Sequence, residues 1–563
     1  MRFPAKSLHP AAWCPALVAL TLSGALAPPA VRADGGEICL TGRPVSADCA
    51  DGESLVVPPG TRVGKITIRT VDLFDENDPR ENHKLQRLAN RLHRSTREGA
   101  IRSQLLLEPG DVYSETLAAE SERVLRHDRY LFDGTVRPVA VHDGVVDLEV
   151  TTRDVWTLSA GVNFGRAGGE QSTSFRVEDT NLLGTGKAVL FEHGSDVDRI
   201  SNRARYLDPN LLGSRVQLGI GLESNSDGDV RTLDFEKPFE SLESRWAAGL
   251  RFSTGDRVDT FYSLGEIVDR FHHESTRFEL SGGLSKGVHD GRTLRWVAGL
   301  AYEDDHFGPV AGFEAPSILP PDRKLVYPWL GLEVVSDRFA EVQDLDQMGR
   351  TEDLFLGTHL DARIGFASKQ FGSDRSAAVF RSRAGAGWRF SDRQTVLVDG
   401  GISGRWSSAG SENLVLDAEG SYFFRNWRKS VLFASLSGSV ADTLDPENQI
   451  LLGGDNGLRG YPLRYQAGEG EVLVTLEQRF FTHWYPWRLF HVGAAVFFDA
   501  GRAWGQDLNS TPNLGWLKDI GIGLRLGSTR SSSKVLHLDI AFPLDGDGSI
   551  RGIQWLIKTK ESL

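Results

Sequence analysis

The sequence predicts an antiparallel transmembrane β-barrel that follows a small α/β domain. Three observations predict this fold class. From about residue 156 to the C-terminus, apolar and polar residues alternate with the period of two that a half-buried strand requires. The turns between these stretches fall into a short class and a long class, which is typical of outer-membrane barrels. An apolar segment at the N-terminus indicates export from the cytoplasm.

Composition and charge narrow the function classes. The 563-residue chain has 63 basic and 76 acidic residues and a formal net charge of −13. This balance gives no support to nucleic-acid binding, which needs a basic surface. After the N-terminal segment no run of about 18 apolar residues occurs, so we expect no transmembrane helix. A closed barrel crosses a membrane without such a run because its backbone groups pair between strands.

The N-terminus is predicted to be a secretory signal peptide at residues 1–33. Two early cations precede an apolar run, and small residues stand at a cleavage site after Ala33. Residues 34–62 are predicted to be a short linker that carries Cys39 and Cys49. Two nearby cysteines in an exported chain favour a disulfide, because a metal site would need further ligands.

Residues 63–153 are predicted to form the small α/β domain. Alternation predicts strands, leucines at helical spacing predict a first helix, and Ser114 is a plausible N-cap for a second helix. In chain order the expected elements are a strand at 65–71, a helix around 85–92, a helix that begins at Ser114, and strands at 136–141 and 145–151 joined by the turn Asp143-Gly144.

Residues 154–563 are predicted to form the barrel, with about twenty candidate strands. A water-soluble sandwich has the same period, but alternation over about 400 residues without a helix is too long for one sandwich. The short turns include Asn181-Leu182-Leu183-Gly184, and the long segments are 303–323 and 503–518. We therefore interpret the long segments as external loops.

Two short motifs near the C-terminus carry the candidate site. A glycine-rich segment contains Leu458-Arg459-Gly460-Tyr461, and a later predicted strand contains Phe497-x-Asp499-x-Gly501. Gly460 lets a loop turn sharply beside the barrel wall, and Gly501 leaves room there. The pattern favours a loop that folds back into the barrel.

Side-chain parity predicts that opposite charges meet in the lumen. Apolar residues at 492, 496 and 498 set the lipid face of one strand, so Asp499 faces inward. The same argument turns Glu477 inward on the preceding strand. An inward arginine would pair with Asp499 in a bidentate manner and find Glu477 nearby. An alternative interpretation is that these carboxylates only line an aqueous lumen. The predicted loop–barrel lock comprises Arg459, Gly460, Tyr461, Glu477, Asp499 and Gly501.

The two motifs, in this order, resemble the signature of the BamA/TamA-type outer-membrane assembly and translocation superfamily. Five predicted strands follow the arginine motif, at 472–481, 491–500, 519–527, 535–542 and 553–559. Residues 105–114 and the order of elements in the small domain resemble a POTRA domain, which implies a periplasmic unit that binds chains by adding a strand to its sheet. The resemblance also implies sixteen barrel strands, fewer than the count above, and we expect the count to be too high rather than the barrel to be larger. Both numbers are even. The single POTRA-like domain and the non-aromatic C-terminus depart from the family's usual pattern.

These features predict an assembly or translocation factor in a bacterial outer membrane, with its N-terminal domain in the periplasm. The expected partners are unfolded outer-membrane or secreted polypeptides, membrane lipids, and accessory periplasmic or outer-membrane proteins. We expect no enzymatic activity, cofactor or metal. Ser285 lies in a Gly-x-Ser-x-Gly match that lacks a following helix, and His272-His273-Glu274 is expected in an external loop without further ligands. The alternatives are a passive porin and a lipid-handling barrel.

Overall fold

The computed structural model describes most of the chain after the linker. It describes residues 55–561 except 80, 315, 428, 506–511, 529, 531–533, 547–549 and 551. The predicted signal peptide and the predicted disulfide between Cys39 and Cys49 lie outside the described residues. Among the helices that are described, none has the length and apolar content needed to cross a membrane.

An α/β domain precedes the barrel. Its elements are β1 (Arg62–Val71), α1 (Lys84–Leu92), α2 (Glu98–Gln104), α3 (Glu115–His127), β2 (Leu131–His142) and β3 (Val145–Asp154). The sheet order is β1-β3-β2, with β1 parallel and β2 antiparallel to β3. Helices α2 and α3 cover the sheet through Ile101 and Leu125, which are fully buried. The Ser114 hydroxyl accepts a hydrogen bond from the Leu117 amide at 3.3 Å, as its predicted N-cap role requires.

One helix of this domain differs from the sequence prediction. The predicted helix around 85–92 exists as α1, but the helix that packs beside α3 is α2, a seven-residue helix that leucine spacing did not indicate. Helix α2 contributes only Ile101 to the core, which leaves no periodic pattern to detect.

The rest of the chain forms a closed antiparallel barrel of twenty strands among the described residues. The even number and the count of about twenty are confirmed. The sixteen strands implied by the resemblance are wrong for this chain, as is the expectation that the sequence count was too high. The barrel strands are β4 (Leu158–Ala167), β5 (Glu170–Asp179), β6 (Ala188–Ser195), β7 (Ile200–Asp208), β8 (Gln217–Asn225), β9 (Gly228–Lys237), β10 (Trp246–Ser263), β11 (Glu266–His289), β12 (Arg292–Gly308), β13 (Arg323–Ser336), β16 (Thr358–Ala367), β17 (Ala377–Ser391), β18 (Gln394–Ser407), β19 (Gly410–Trp427), β20 (Ser430–Asp442), β23 (Gly470–Phe481), β24 (Phe490–Trp504), β25 (Leu517–Ser528), β26 (Lys534–Pro543) and β27 (Gln554–Glu561).

Two further hairpins are not part of the barrel wall. They are β14 (Phe339–Gln343) with β15 (Thr351–Phe355), and β21 (Ile450–Leu452) with β22 (Gln466–Gly468). We call the barrel end next to the α/β domain the proximal end and the opposite end the distal end. The first hairpin follows β13 at the proximal end, and the second interrupts the distal connection between β20 and β23.

The wall has the expected alternation. On β25, Ile520 and Ile522 are 45% and 55% exposed on the outer face, whereas Asp519 is fully buried and Arg525 is nearly so. The outer surface therefore presents an apolar band and the lumen is polar.

The long segments 503–518 and 303–323, which were predicted to be external loops, each include a distal connection, at 505–516 and 309–322. The residues that flank each connection belong to strands of the barrel.

One sequence interpretation of polar residues needs correction. His272 and His273 lie within strand β11 and not in an external loop. Strand β11 has 24 residues, whereas about 9–11 suffice to cross a bilayer, so it continues beyond the membrane as an extended strand. Ser285 also lies on β11, where its hydroxyl donates to the Leu294 carbonyl at 3.0 Å. No group of three or more His, Cys, Asp or Glu side chains suited to a metal occurs among the described residues.

The first and last barrel strands pair over a very short distance. Within the described residues, β27 meets β4 through one register pair, Ile557 opposite Arg166. In contrast, β4 pairs with β5 from Leu158 to Ala167. The closure between β27 and β4, which we call the seam, is therefore the weakest junction of the wall.

Candidate functional site

The distal connection between β20 and β23 folds into the barrel. We call residues 443–469 the inward loop. Its small apolar core is buried against the barrel wall at Leu517 of β25 and consists of Leu452, Leu458, Tyr461 and Tyr465. The rings of Tyr461 and Tyr465 stack with their centroids 5.9 Å apart. The inward loop therefore brings its own packed core into the lumen.

Arg459 lies at the tip of the inward loop and contacts two carboxylates of the wall. Its Nε and Nη2 donate to Asp499 Oδ2 and Oδ1 at 2.7 and 3.0 Å, which is a bidentate pair. Its Nη1 donates to Glu477 Oε2 at 2.7 Å. The guanidinium carbon lies 3.3 Å from the ring centroid of Phe497, which adds a cation–π contact. Asp499 and Phe497 are 0% and 2% exposed, so these contacts are shielded from bulk water.

Further charged side chains surround this pair. Glu477 also accepts from Arg479 at 3.0 Å and from Arg525 at 3.1 Å. Asp539 pairs closely with Arg525 and lies 3.6 Å from Arg459. Three arginines thus face the three carboxylates of Glu477, Asp499 and Asp539. Because buried charges are costly without partners, removal of one member would leave an uncompensated charge.

The glycines and the tyrosine of the motifs allow close approach. A Cβ on Gly460 would lie 2.6 Å from the Asp519 Cβ, and the Gly460 amide donates to Asp519 Oδ2 at 2.9 Å. A Cβ on Gly501 would lie 2.9 Å from Leu452 of the inward loop. The Tyr461 hydroxyl donates to the Lys518 carbonyl at 2.7 Å. Positions 460 and 501 therefore have space only for glycine. The hydrogen bonds of Gly460 and Tyr461 tie the loop to β25.

The inward loop also reaches other parts of the wall. Arg464 makes a bidentate pair with Asp198 at 2.7 and 2.8 Å, close to the distal rim. Glu447 accepts from Arg323 of β13 at 2.7 Å. Asp519 and Arg464 lie outside the predicted lock, and the sequence offered no motif that singles them out.

The inward loop contacts one strand of the seam and the turn that follows the other. The Lys558 ammonium on β27 donates to the carbonyls of Asp455 and Gly454 at 2.7 and 3.3 Å. A Cβ on Gly454 would lie 2.8 Å from the backbone of Gly168, which is in the turn after β4. The loop thus contacts both sides of the seam, where β27 and β4 form only one register pair in the described residues.

A second segment enters the lumen from the proximal end. We call residues 337–357, which include β14 and β15, the proximal hairpin. Its Leu345 and Leu354 are buried against inward side chains of the wall, among them Phe423 and Val431. Arg479 donates to Asp346 of the hairpin at 3.0 Å. Since Arg479 also pairs with Glu477, one arginine connects the hairpin to the cluster around Arg459.

The α/β domain contacts the proximal hairpin. Arg126 of α3 makes a bidentate pair with Asp353 at 2.7 and 2.8 Å and donates to Glu341 at 3.0 Å. The guanidinium of Arg123 lies 4.3 Å from the ring centroid of Phe339. Ion pairs therefore link the α/β domain to the hairpin, and Arg479 and Glu477 link the hairpin to Arg459 of the inward loop.

Parts of this chain are similar to a curated sequence, and its fold is similar to several solved structures. No protein-family profile matches it. A stretch of 215 residues, 37% of this chain, is 26% identical to the "Putative outer membrane protein assembly factor" of Treponema pallidum. The match spans 24% of that relative's length.

Three of the similar solved structures come from different bacteria. CdiB from Escherichia coli has a TM-score of 0.44 over 88% of this chain and 76% of that one. CdiB from Acinetobacter baumannii has 0.42 over 88% and 73%, and BamA from Haemophilus ducreyi lacking POTRA domains 1–3 has 0.38 over 88% and 84%. Each is 13% identical in sequence.

The fold, the motifs and the sequence match agree. The closed barrel has an apolar outer face and a polar lumen, which are the features of a barrel that crosses a membrane. The Arg459-Gly460-Tyr461 loop and the Phe497-x-Asp499-x-Gly501 strand resemble the motifs of the BamA/TamA-type outer-membrane assembly and translocation superfamily, and the matched relative is named as an outer-membrane protein assembly factor.

Proposed function

We propose that this protein assembles or translocates polypeptides at the outer membrane and performs no chemical catalysis. The observation that carries the proposal is the inward loop, held in the lumen by Arg459, Asp499 and Glu477 beside a weakly paired seam. The curated relative's name as an assembly factor supports it. The clients are unfolded outer-membrane or secreted polypeptides, and lipids and accessory proteins are further partners.

The α/β domain is proposed to be a periplasmic, POTRA-like domain that receives the client. In its sheet order β1-β3-β2, strands β1 and β2 form the two edges. An extended polypeptide adds to such an edge through main-chain hydrogen bonds. The domain lies at the proximal end, and an even number of strands returns β27 to that end, so both barrel termini are proposed to face the periplasm.

The loop–barrel lock is proposed to keep the barrel in the shape that accepts a client. The inward loop contacts Lys558 on one side of the seam and the turn at Gly168 on the other. When Arg459 is paired, the loop supports both edges. The client then uses either the seam or the lumen as its route.

A comparison of outer-membrane proteomes tests the proposal. Cells that lack this protein are complemented with the wild type, Arg459→Ala or Arg464→Ala. Arg464 is a matched control because it belongs to the same loop and also makes a bidentate aspartate pair, but near the rim. We expect specific outer-membrane or secreted proteins to be depleted, and to be restored by wild type and Arg464→Ala but not by Arg459→Ala. An unchanged proteome without the protein would refute the function.

The filled lumen weighs against a passive porin. The inward loop enters from the distal end, and the proximal hairpin packs Leu345 and Leu354 inside the other end. We therefore expect little steady conductance from the purified protein in planar bilayers. A large steady conductance together with an unchanged proteome would favour the porin.

A further inference from the structure

We propose that α1 is a lipid-binding helix that lies on the proximal leaflet of the membrane next to the seam. The packing of the helix, its ties to the barrel and its charges all indicate a role beyond polypeptide assembly.

Helix α1 packs with its polar side inward and its leucines outward. Leu85, Leu88 and Leu92 are 81%, 50% and 67% exposed. On the other side Gln86 is buried, and the Asn90 side chain accepts from the Phe74 amide at 3.1 Å and donates to its carbonyl at 2.9 Å. A helix of a water-soluble domain normally buries its apolar stripe. The outward leucines therefore require an apolar partner outside the domain.

Both flanks of α1 are tied to the proximal rim of the barrel. Before the helix, Glu81 pairs closely with Arg530, which lies in the turn between β25 and β26. After the helix, the Thr96 hydroxyl accepts from the Asn181 side chain at 2.7 Å, in the turn between β5 and β6. The Arg97 amide also donates to the Gly184 carbonyl at 2.8 Å in that turn.

These ties place α1 beside one section of the wall. The strands between the two turns are β26, β27, β4 and β5, which include the seam. The outer face of this section is apolar down to its proximal end, where Leu158 is 52% exposed. Further round the rim, Trp484 and Trp487 are 65% and 77% exposed, as expected of aromatic side chains at a membrane–water interface. Helix α1 therefore lies at the level of the lipid headgroups.

The charge of the helix fits an anionic lipid surface. Residues 84–94 contain Lys84, Arg87, Arg91 and Arg94 and no acidic residue. At about 100° per residue, Lys84 and Arg91 lie beside the leucine stripe and not opposite it. Leucines that enter the interface with flanking cations that meet phosphates are typical of interfacial helices. A phospholipid leaflet satisfies both features at once.

Site-specific fluorescence of the full-length protein in proteoliposomes tests this. Cys39 and Cys49 are replaced by serine, and an NBD label is attached at Ala89→Cys on α1. The control is Val139→Cys on β2, an exposed apolar position in the part of the sheet away from the barrel. We expect blue-shifted emission and quenching by doxyl-labelled phospholipids at position 89 but not at 139. Vesicles that contain phosphatidylglycerol should increase the quenching relative to phosphatidylcholine alone.

Two sets of variants then separate the apolar and charged contributions. Because burial of a leucine is worth more than a tenfold change in partitioning, Leu85→Gln, Leu88→Gln and Leu92→Gln together should reduce the lipid-bound fraction by at least roughly tenfold. Lys84→Glu with Arg91→Glu should remove the phosphatidylglycerol dependence. These readouts do not depend on assembly activity. Absence of quenching at position 89 would overturn the proposal, as would a blue shift that appears only when an unfolded polypeptide is added.

Discussion

The inward loop and the proximal hairpin fill the same lumen from opposite ends, but they are held in different ways. The loop is fixed by directional contacts, since Arg459 pairs with Asp499 and Glu477 and Gly460 approaches Asp519 closely. The hairpin is fixed inside the lumen by apolar packing of Leu345 and Leu354, and its ion pairs with Arg479 and Arg126 lie at the edges of that packing. A charge cluster accepts one geometry, whereas apolar packing tolerates adjustment. The difference suggests that the loop sets the shape of the barrel and the hairpin closes it.

The largest effect is expected for Arg459→Ala. It leaves Asp499 and Glu477 buried with fewer partners, which costs about 3–5 kcal/mol for a buried pair. The lipid-facing wall is untouched, so the barrel should still fold. The measurement is the temperature at which the folded form is lost on semi-native gels, together with protease access to residues 443–469. Arg464→Ala, at a partly exposed pair, should cost about 1 kcal/mol or less. Equal effects of the two variants would mean that the cluster around Arg459 has no special role.

A somewhat smaller effect, confined to the hairpin, is expected for Leu354→Ala. Truncation of a buried leucine costs about 2–5 kcal/mol, and here that cost loosens β14 and β15 without opening the wall. Hydrogen exchange of 339–355 should accelerate, and single-channel recordings should show more frequent openings. Leu436→Ala, at a lipid-facing position of β20 that is 56% exposed, is the control. If the inward loop were also exposed in Leu354→Ala, the two segments would not be independently held.

A smaller loss of stability than for Leu354→Ala is expected for Gly460→Ala. The added methyl would meet Asp519 and the Pro543 amide nitrogen at 2.6 and 3.1 Å, and overpacking of this kind costs about 1–3 kcal/mol. Gly420→Ala on β19 is a matched control, because nothing lies within 4 Å of its added Cβ. Thermal loss of the folded form should occur earlier only for Gly460→Ala. Wild-type behaviour of Gly460→Ala would show that the tip of the loop has room to move.

A still smaller effect on stability is expected for Arg126→Ala. It removes the link between α3 and the proximal hairpin, whose partner Glu341 is 59% exposed, so only about 1–2 kcal/mol of local stability should be lost. Faster hydrogen exchange at β14 and β15, with no change in the inward loop, would support a hairpin that is independent of the loop. Exchange that accelerates at residues 443–469 as well would show that the α/β domain and the loop are coupled through Arg479.

The sequence predicted the wall better than its contents. Strands β23 to β27 lie within a few residues of the predicted segments because alternation marks each strand by itself. The same parity placed Asp499 and Glu477 on the inner face, where the structure brings them to Arg459. The proximal hairpin was not predicted, since β14 and β15 are short and alternate like strands of the wall.

Features that depend on neighbouring elements were also not predictable. The leucines of α1 predicted a helix but not its outward orientation, because only the rest of the fold decides which side of a helix is buried. His273 was expected in a loop because polar residues fill this part of β11. Its partners Asp259 and Asp305 come from the two adjacent strands, and pairing across strands leaves no local signal.

The order of the partners of Arg459 along the chain has a consequence for folding. Glu477, Asp499 and Asp539 all follow Arg459 in the sequence, on β23, β24 and β26. The arginine cannot find its full set of carboxylates until the C-terminal strands have joined the sheet, and such non-local contacts form late. Docking of the tip would thus be among the last steps of maturation, and a truncated or misregistered chain would leave the arginine without its partners.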